Sequence, residues 1–334
     1  PGGVFVARRG LTTDGHTFIR RAIARGAAAI VGERPFVEVA PLPVPYLQVA
    51  DSTAAVGYLA AGYHRHPSRR LTVIGVTGTD GKTTTSTILH TILQRATGGK
   101  TGLISTVSAV IGDETLDTGL HVTTPSAPLI QALLARMVAA GLTHVILEMT
   151  SHGLAQGRLN SVDIDIAVLT NLTHEHLDYH VNFPEYVAAK ALLGKAARKV
   201  VLNADDTNSF RELKKQLGER GDDIATYSRA DRLPNTISKA ITTRFDQAYN
   251  QMNARLVYRI AKLMKIDDKD FVTGLKNFPG VPGRMQEVGK VKNIRVIVDF
   301  AHTPNALESA LTSLRKELKQ KKSKGKLIAV FGCA

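Results

Sequence analysis

The stretch that most constrains the fold runs from Leu71 to Leu93, LTVIGVTGTDGKTTTSTILHTIL. Its β-branched run (Val73, Ile74, Val76) predicts a buried strand. Gly78-Thr79-Asp80-Gly81 then predicts a turn, and Lys82-Thr83-Thr84 opens a helix with apolar residues at Ile88, Leu89, Ile92 and Leu93. A strand, a glycine loop and a helix N-terminus in that order make an anion cradle. Backbone N–H groups and the helix end face the anion, Lys82 can reach terminal phosphates, and the Thr83 hydroxyl can ligate Mg²⁺. The expected ligand is a nucleoside triphosphate. In the commonest form of this motif, G-x-x-x-x-G-K-[ST], the first glycine would fall on Val76; here a glycine sits inside the loop, at Gly78.

The rest of the chain fits such a domain. At 334 residues and 43% hydrophobic content it has room for two or three globular domains. No apolar run approaches the roughly 20 residues that span a bilayer, so membrane insertion is not expected. No signal for secretion is seen, although a chain beginning at Pro1 leaves a preceding segment open. A single cysteine, Cys333, excludes an internal disulfide and fits a cytoplasmic location. The net charge of +14 suits anionic ligands. The lysine-rich run from Lys316 to Lys326 has no interleaved aromatic residues for stacking bases, so it reads as a solvated helix end and not as a nucleic-acid patch.

Three domains are expected. Residues 1–67 give strands at GGVFVAR, AAAIVGE and YLQVA with a helix from Phe18 to Arg25. Residues 68–283 alternate strand and helix: TVIGVT and its loop helix, KTGLIST, a helix Pro125 to Ala140, THVILEM, DIAVLTN, a helix Pro184 to Ala197, KVVLN, and a helix into DIATYS. This pattern predicts a mostly parallel α/β sheet with ligands at the strands' C-terminal ends. After Ser228 one helix stands out, with Met252, Leu256, Ile260 and Leu263 on a common face, and the region near 228–247 reads as shortened. Residues 284–334 predict a fresh β-α-β start: RVIVDF, a helix Pro304 to Lys319, and KLIAVFG.

Several motifs fall at strand ends. THVILEM delivers Glu148 where a carboxylate can take Mg²⁺, or can simply be a polar strand terminus. DIAVLTN leads to Thr173-His174-Glu175-His176-Leu177-Asp178-Tyr179-His180. That run nearly copies the H-x-H-x-D-H of dinuclear metallo-hydrolases, but Tyr179 takes the place of the last histidine. Lys190, alone on a helix, reads by itself as a surface residue.

G-T-D-G-K-T-T, N-L-T-H-E-H-L-D-Y-H, T-T-P at Thr123-Thr124-Pro125 and E-M-T-S-H-G-L-A-Q-G-R from Glu148 to Arg158 together resemble the Mur ligase family, in its tripeptide-forming branch. These enzymes make an amide from a carboxylate, an amine and ATP. The resemblance implies a three-domain architecture: a central P-loop sheet, a uridine-nucleotide-binding N-terminal domain and a Rossmann-like C-terminal domain, with both outer domains incomplete. It implies ATP and Mg²⁺ as cofactors, UDP-MurNAc-L-Ala-D-Glu and a diamino acid as substrates, and a monomer. It assigns Gly78 to Thr84, Asn253, Arg284 and Asp299 to ATP, with Asn253 beside adenine. Thr83, Glu148, His176 and a carbamylated Lys190 go to metal, and Thr12, Thr13, Thr123, Thr124, Ser151, Gln156 and Arg158 to the acceptor substrate. Lys82, Lys190, His176 and Arg284 are the implied catalytic groups. Against this stand a non-catalytic nucleotide-binding fragment and a Mur-like ligase of another carboxylate substrate, such as a folylpolyglutamate synthase.

Overall fold

The computed structural model describes residues 1–10, 13–116, 123–172, 182–292, 294–301, 304–320 and 325–332. In chain order the first elements are β1 (Val4–Ala7), α1 (Ile19–Ala24), β2 (Ala29–Gly32), α2 (Phe36–Val39), β3 (Tyr46–Gln48) and α3 (Ser52–Tyr63). Then come β4 (Thr72–Thr77), α4 (Lys82–Ala96), β5 (Thr101–Ile104), β6 (Ala109–Ile111), β7 (Glu114–Leu116), α5 (Ala127–Ala139), β8 (His144–Glu148) and α6 (Ser151–Ala155). They are followed by β9 (Ile164–Leu169), α7 (Phe183–Ala196), β10 (Ala197–Asn203), α8 (Thr207–Leu217) and β11 (Ile224–Tyr227). The last are α9 (Asn235–Arg244), α10 (Ala248–Leu263), α11 (Asp268–Lys276), β12 (Gln286–Val291), β13 (Ile294–Val298) and α12 (Pro304–Gln320).

The eight-stranded sheet runs β11-β10-β9-β4-β8-β5-β6-β7. β5 pairs with β8, and β10 with β11, in parallel. Parallel strands covered on both faces should be apolar without a break rather than alternating. β4 behaves this way: Val73, Ile74 and Val76 are all fully buried, as are Val145 and Ile146 on β8 and Val168 on β9. The sheet departs from parallel at one edge. There β5, β6 and β7 form an antiparallel meander that turns through Gly112 at φ +59°, an element the sequence reading passed over.

The chain divides into two compact units. One comprises Pro1–Gly75, Lys100–Ala167 and Ala188–Lys199. Its N-terminal strands form a small parallel sheet, β1-β2-β3, over a core of Ala7, Ile19 and Ile30 with Phe5, Ile23 and Tyr46 against it. The other comprises Val76–Gly99, Val168–Val187 and Val200–Ala334. Here α10 and α11 pack on α4, whose inward face is Ile88, Leu89, Ile92 and Leu93. The stretch that read as shortened holds helix α9, anchored by buried Ile237 and Ile241.

One expectation at the C-terminal end needs correction. RVIVDF forms β13, paired antiparallel with β12, and α12 follows it as expected, but the strand that would complete the β-α-β unit is not seen among the described residues. KLIAVFG is not a strand: residues 325–332 have no regular structure, and Ile328, Val330 and Phe331 are exposed. An apolar β-branched run becomes a strand only when a neighbouring backbone completes its hydrogen bonds, and none does so among the described residues.

Candidate functional site

Between β4 and α4 the chain makes the loop that the glycines require. Gly81 sits at φ +80° and Gly78 at φ +148°, and a Cβ on Gly78 would land on Thr170 Oγ1. Lys82 opens α4 and donates from Nζ to the Thr79 carbonyl at 2.7 Å. The end of β9 grips the loop from one side. Asn171 accepts from Thr79 N through its backbone oxygen (2.9 Å) and from Asp80 N through its side chain (2.8 Å). Thr170 Oγ1 donates to the Asp80 carbonyl at 2.6 Å. From α7, the Tyr186 hydroxyl shares a 2.8 Å hydrogen bond with the buried Thr79 hydroxyl. Thr83 is buried and Thr84 half-buried at the start of α4.

Asn253, on α10, places its Oδ1 2.6 Å from where a Gly81 Cβ would be, so the asparagine expected beside adenine also touches the end of the loop. Arg284 and Asp299 are brought together at the base of the β12–β13 hairpin. Asp299 accepts from Met285 N at 2.7 Å, and the Arg284 guanidinium lies over the Phe300 ring at 4.6 Å. Burial, and then the Asp299 carboxylate, push the Tyr249 hydroxyl up to about 12.

In the other unit a second cluster forms after β5 and β8. Glu148 is almost fully buried. It accepts from the Thr106 hydroxyl (2.8 Å) and the Thr106 backbone N–H (3.1 Å), and Thr106 Oγ1 in turn lies 3.0 Å from Thr123 Oγ1. Thr124 Oγ1 accepts from Thr150 N at 3.0 Å. Ser151 is buried, and its hydroxyl meets no partner among the described residues. Arg158 donates twice to Gln156 Oε1 (3.0 and 2.7 Å) and also to the Thr124 carbonyl. Gln156 and Arg158 line a pocket of about 330 Å³ with Arg8, Thr53, Pro125 and Ser126. No carboxylate lines that pocket, which gives it a cationic character suited to an anion. Lys190 on α7 is fully buried, against the surface reading that the sequence alone supports.

Thr13 closes the N-terminal turn, its carbonyl accepting from Gly10 N at 2.9 Å. Next to it, Asp14 accepts from His16 N (2.9 Å) and His16 Nδ1 (2.6 Å) and pairs with Arg34 (2.5 Å). Thr12, His174, His176 and the rest of the 173–181 run lie outside the described residues. The sequence reading missed four bracing residues: Thr106, Thr170, Asn171 and Tyr186. Thr170 and Asn171 end the DIAVLTN run, and Tyr186 lies four residues before Lys190 on the predicted helix. Thr106 carried no signal.

Carboxylate and hydroxyl oxygens are the donors a hard divalent cation prefers, so Glu148 and Thr83 fit Mg²⁺ by chemistry. Among the described residues no group of three histidine, cysteine or acidic side chains gathers as a metal cluster, and no helix is long and apolar enough to cross a membrane.

Comparison with known proteins gives the family. Three domain families match in order: the Mur ligase family catalytic domain over residues 1–64, the Mur ligase middle domain over 76–267, and the Mur ligase glutamate ligase domain over 283–334. The UDP-N-acetylmuramyl-tripeptide synthetase of Deinococcus radiodurans is 41% identical over 337 residues, covering 94% of this chain and 67% of its own length. The UDP-N-acetylmuramoyl-L-alanyl-D-glutamate–2,6-diaminopimelate ligase of Geobacillus kaustophilus is 37% identical, covering 99% and 70%. A solved structure of a ligase of that same name superposes with a TM-score of 0.72 at 26% identity, over 94% of this chain and 68% of the other. A MurF ligase of Thermotoga maritima in complex with ADP shares the fold, at TM-score 0.59 and 20% identity. By sequence and by fold, this chain belongs to the Mur ligase family.

Proposed function

We propose that the protein is an ATP-dependent carboxylate–amine ligase that adds diaminopimelate to UDP-MurNAc-L-Ala-D-Glu, a step of peptidoglycan precursor synthesis. One observation carries the reading. The Gly78–Thr84 loop is built as a phosphate cradle, in a chain 35–41% identical to ligases named for tripeptide synthesis or for diaminopimelate addition.

In this reading the γ-phosphoryl group of ATP passes to an oxygen of the D-Glu side-chain carboxylate, breaking the bond to the β-phosphate oxygen and releasing ADP. The amine of the diamino acid then attacks the acyl carbon. Phosphate leaves with the bridging oxygen, and the amine loses a proton. Lys82 exchanges the Thr79 carbonyl for the terminal phosphates. Arg284 exchanges the Phe300 ring for phosphate oxygens. Both then stabilise charge that develops in the transfer. Arg158, oriented by Gln156 and the Thr124 carbonyl, is the proposed guanidinium partner of an acceptor carboxylate, with Thr123, Thr124 and Ser151 as hydroxyl partners. Asn253 and Asp299 serve the nucleoside, and Thr12 and Thr13 the uridine end of the acceptor. The proposed Mg²⁺ donors are Thr83, Glu148, His176 and a carbamylated Lys190. The ion would neutralise phosphate charge. The protein is expected to act as a cytoplasmic monomer without nucleic acid.

The test is phosphate release from ATP by the purified full-length protein. Release that requires both UDP-MurNAc-L-Ala-D-Glu and diaminopimelate is the expected result. Dependence on L-lysine instead would move the amine assignment. Nucleotide binding with no acceptor-dependent turnover would leave a nucleotide-binding fragment.

A further inference from the structure

We infer that Tyr186 is a positioning residue for the nucleotide: its hydroxyl fixes the phosphate loop through Thr79 and ties that loop to α7. The inference rests on the loop's reading as an ATP site and adds a group to it. Tyr186 is fully buried and Thr79 nearly so, and their hydroxyls are 2.8 Å apart. The Tyr186 ring is wedged against Phe183, with centroids 6.2 Å apart, which limits where its hydroxyl can reach. The bond therefore holds Thr79 rather than following it.

Thr79 is the pivot of the loop. Its amide goes to Asn171, its carbonyl receives Lys82, and its hydroxyl meets Tyr186. The Tyr186 bond thus orients the peptide that parks the Lys82 ammonium. α7 passes on one turn from Tyr186 to Lys190, which is buried on the same side of the helix at spacing i, i+4. The helix that carries Lys190 therefore also sets the position of the phosphate loop. A change of loop conformation on nucleotide binding would be felt at the N-terminal turn of α7.

The experiment is a double-mutant cycle on nucleotide affinity in the full chain. Tyr186→Phe, Thr79→Val and the double variant are titrated calorimetrically with Mg·ATP, and each is melted. Removing either hydroxyl breaks this buried bond, so each single variant should weaken ATP about tenfold. The double variant should weaken it by about the same tenfold and not a hundredfold, because the two act as one interaction. In Tyr186→Phe, amide exchange at Thr79 and Asp80 should also quicken severalfold. Multiplicative losses, or a lowered melting temperature with unchanged ATP affinity in Tyr186→Phe, would overturn the inference. If Thr79→Val does not fold, Tyr186→Phe alone decides, by affinity and loop exchange together. Wild-type protein that fails to bind ATP would instead remove the nucleotide reading itself.

Discussion

Two short turns in this protein are held in opposite ways. From β9 and α7 the phosphate loop is held by neutral groups: the Thr170 hydroxyl and the Asn171 side chain meet the Asp80 peptide and the Tyr186 hydroxyl meets that of Thr79, while Lys82 on the loop's own helix donates to the Thr79 carbonyl. The N-terminal turn at Asp14 is braced by ionised ones. Asp14 pairs with Arg34, and His16, almost wholly enclosed, links Asp14 on one nitrogen to the backbone N–H groups of Glu33 (3.0 Å) and Arg34 (3.3 Å) on the other. Because Nε2 receives two donors, the imidazole proton facing Asp14 is on Nδ1. A loop that must receive a polyanion gains from neutral braces on β9 and α7, since a carboxylate at those bracing positions would add to the negative charge that Asp80 already brings. A turn that only has to keep its shape can use charge.

The sharpest way to break the comparison is at the tightest point of the neutral brace. In Gly78→Ala the new methyl meets Thr170 Oγ1, which is itself committed to the Asp80 carbonyl and cannot withdraw without freeing the loop. The cost, about 3 kcal/mol, falls on the loop conformation, so ATP affinity should drop about a hundredfold while the melting temperature moves by only a few degrees. Isothermal titration beside a thermal melt checks it. Adding Thr170→Ala should recover part of the affinity.

The ionic brace should fail differently. His16→Ala removes the acceptor for two backbone N–H groups and one partner of Asp14, a loss of about 1–3 kcal/mol of stability by denaturant titration. ATP affinity should not change, because the residue belongs to the N-terminal turn. Gly32 gives an independent check on the same cluster. A Cβ there would meet Tyr46 Oη at 2.6 Å and His16 Nε2 at 2.8 Å, so Gly32→Ala should destabilise by a similar amount.

How much of each turn could be read beforehand follows from its physics. The phosphate loop was legible because one continuous stretch holds strand, turn and helix, and glycine spacing encodes its backbone. Its braces were less so. Tyr186 lies in Y-V-A-A-K, where a tyrosine four residues before a lysine states only that both share a helix face, and burial made that face the inner one. The Thr106 bond to Glu148 joins β5 to β8 across 42 residues, and no local pattern marks it. Taken by itself Lys190 reads as surface for the same reason, and only the family resemblance drew it into the site, since a helix of low amphipathicity does not tell which side its neighbours cover. KLIAVFG failed in the other direction: its local pattern is right for a strand, and the partner backbone is what decides.

The smallest expected effect separates the two braces by pH. Hydrogen bonds from His16, first from its backbone N–H, hold the Asp14 carboxyl well below the usual carboxylate range, and Arg34 adds to them. Glu33 is lowered in the same way by the backbone and side-chain donors of Ser52. A carboxyl whose folded value is depressed adds stability that is complete above its unfolded value, about 3.9 for Asp and 4.3 for Glu, and is lost as pH falls through the folded one. The N-terminal turn should therefore loosen only below about pH 4, with no change between pH 5 and 8 from these two groups. Protection against amide exchange at His16 and Ser52, whose N–H groups donate to these two carboxylates, should fall as pH drops below 5 before protection at Thr79, whose N–H donates to the Asn171 carbonyl. Equal acceleration at both turns would mean that the phosphate loop, too, depends on a buried charge, and the contrast between a neutral and an ionic brace would fail.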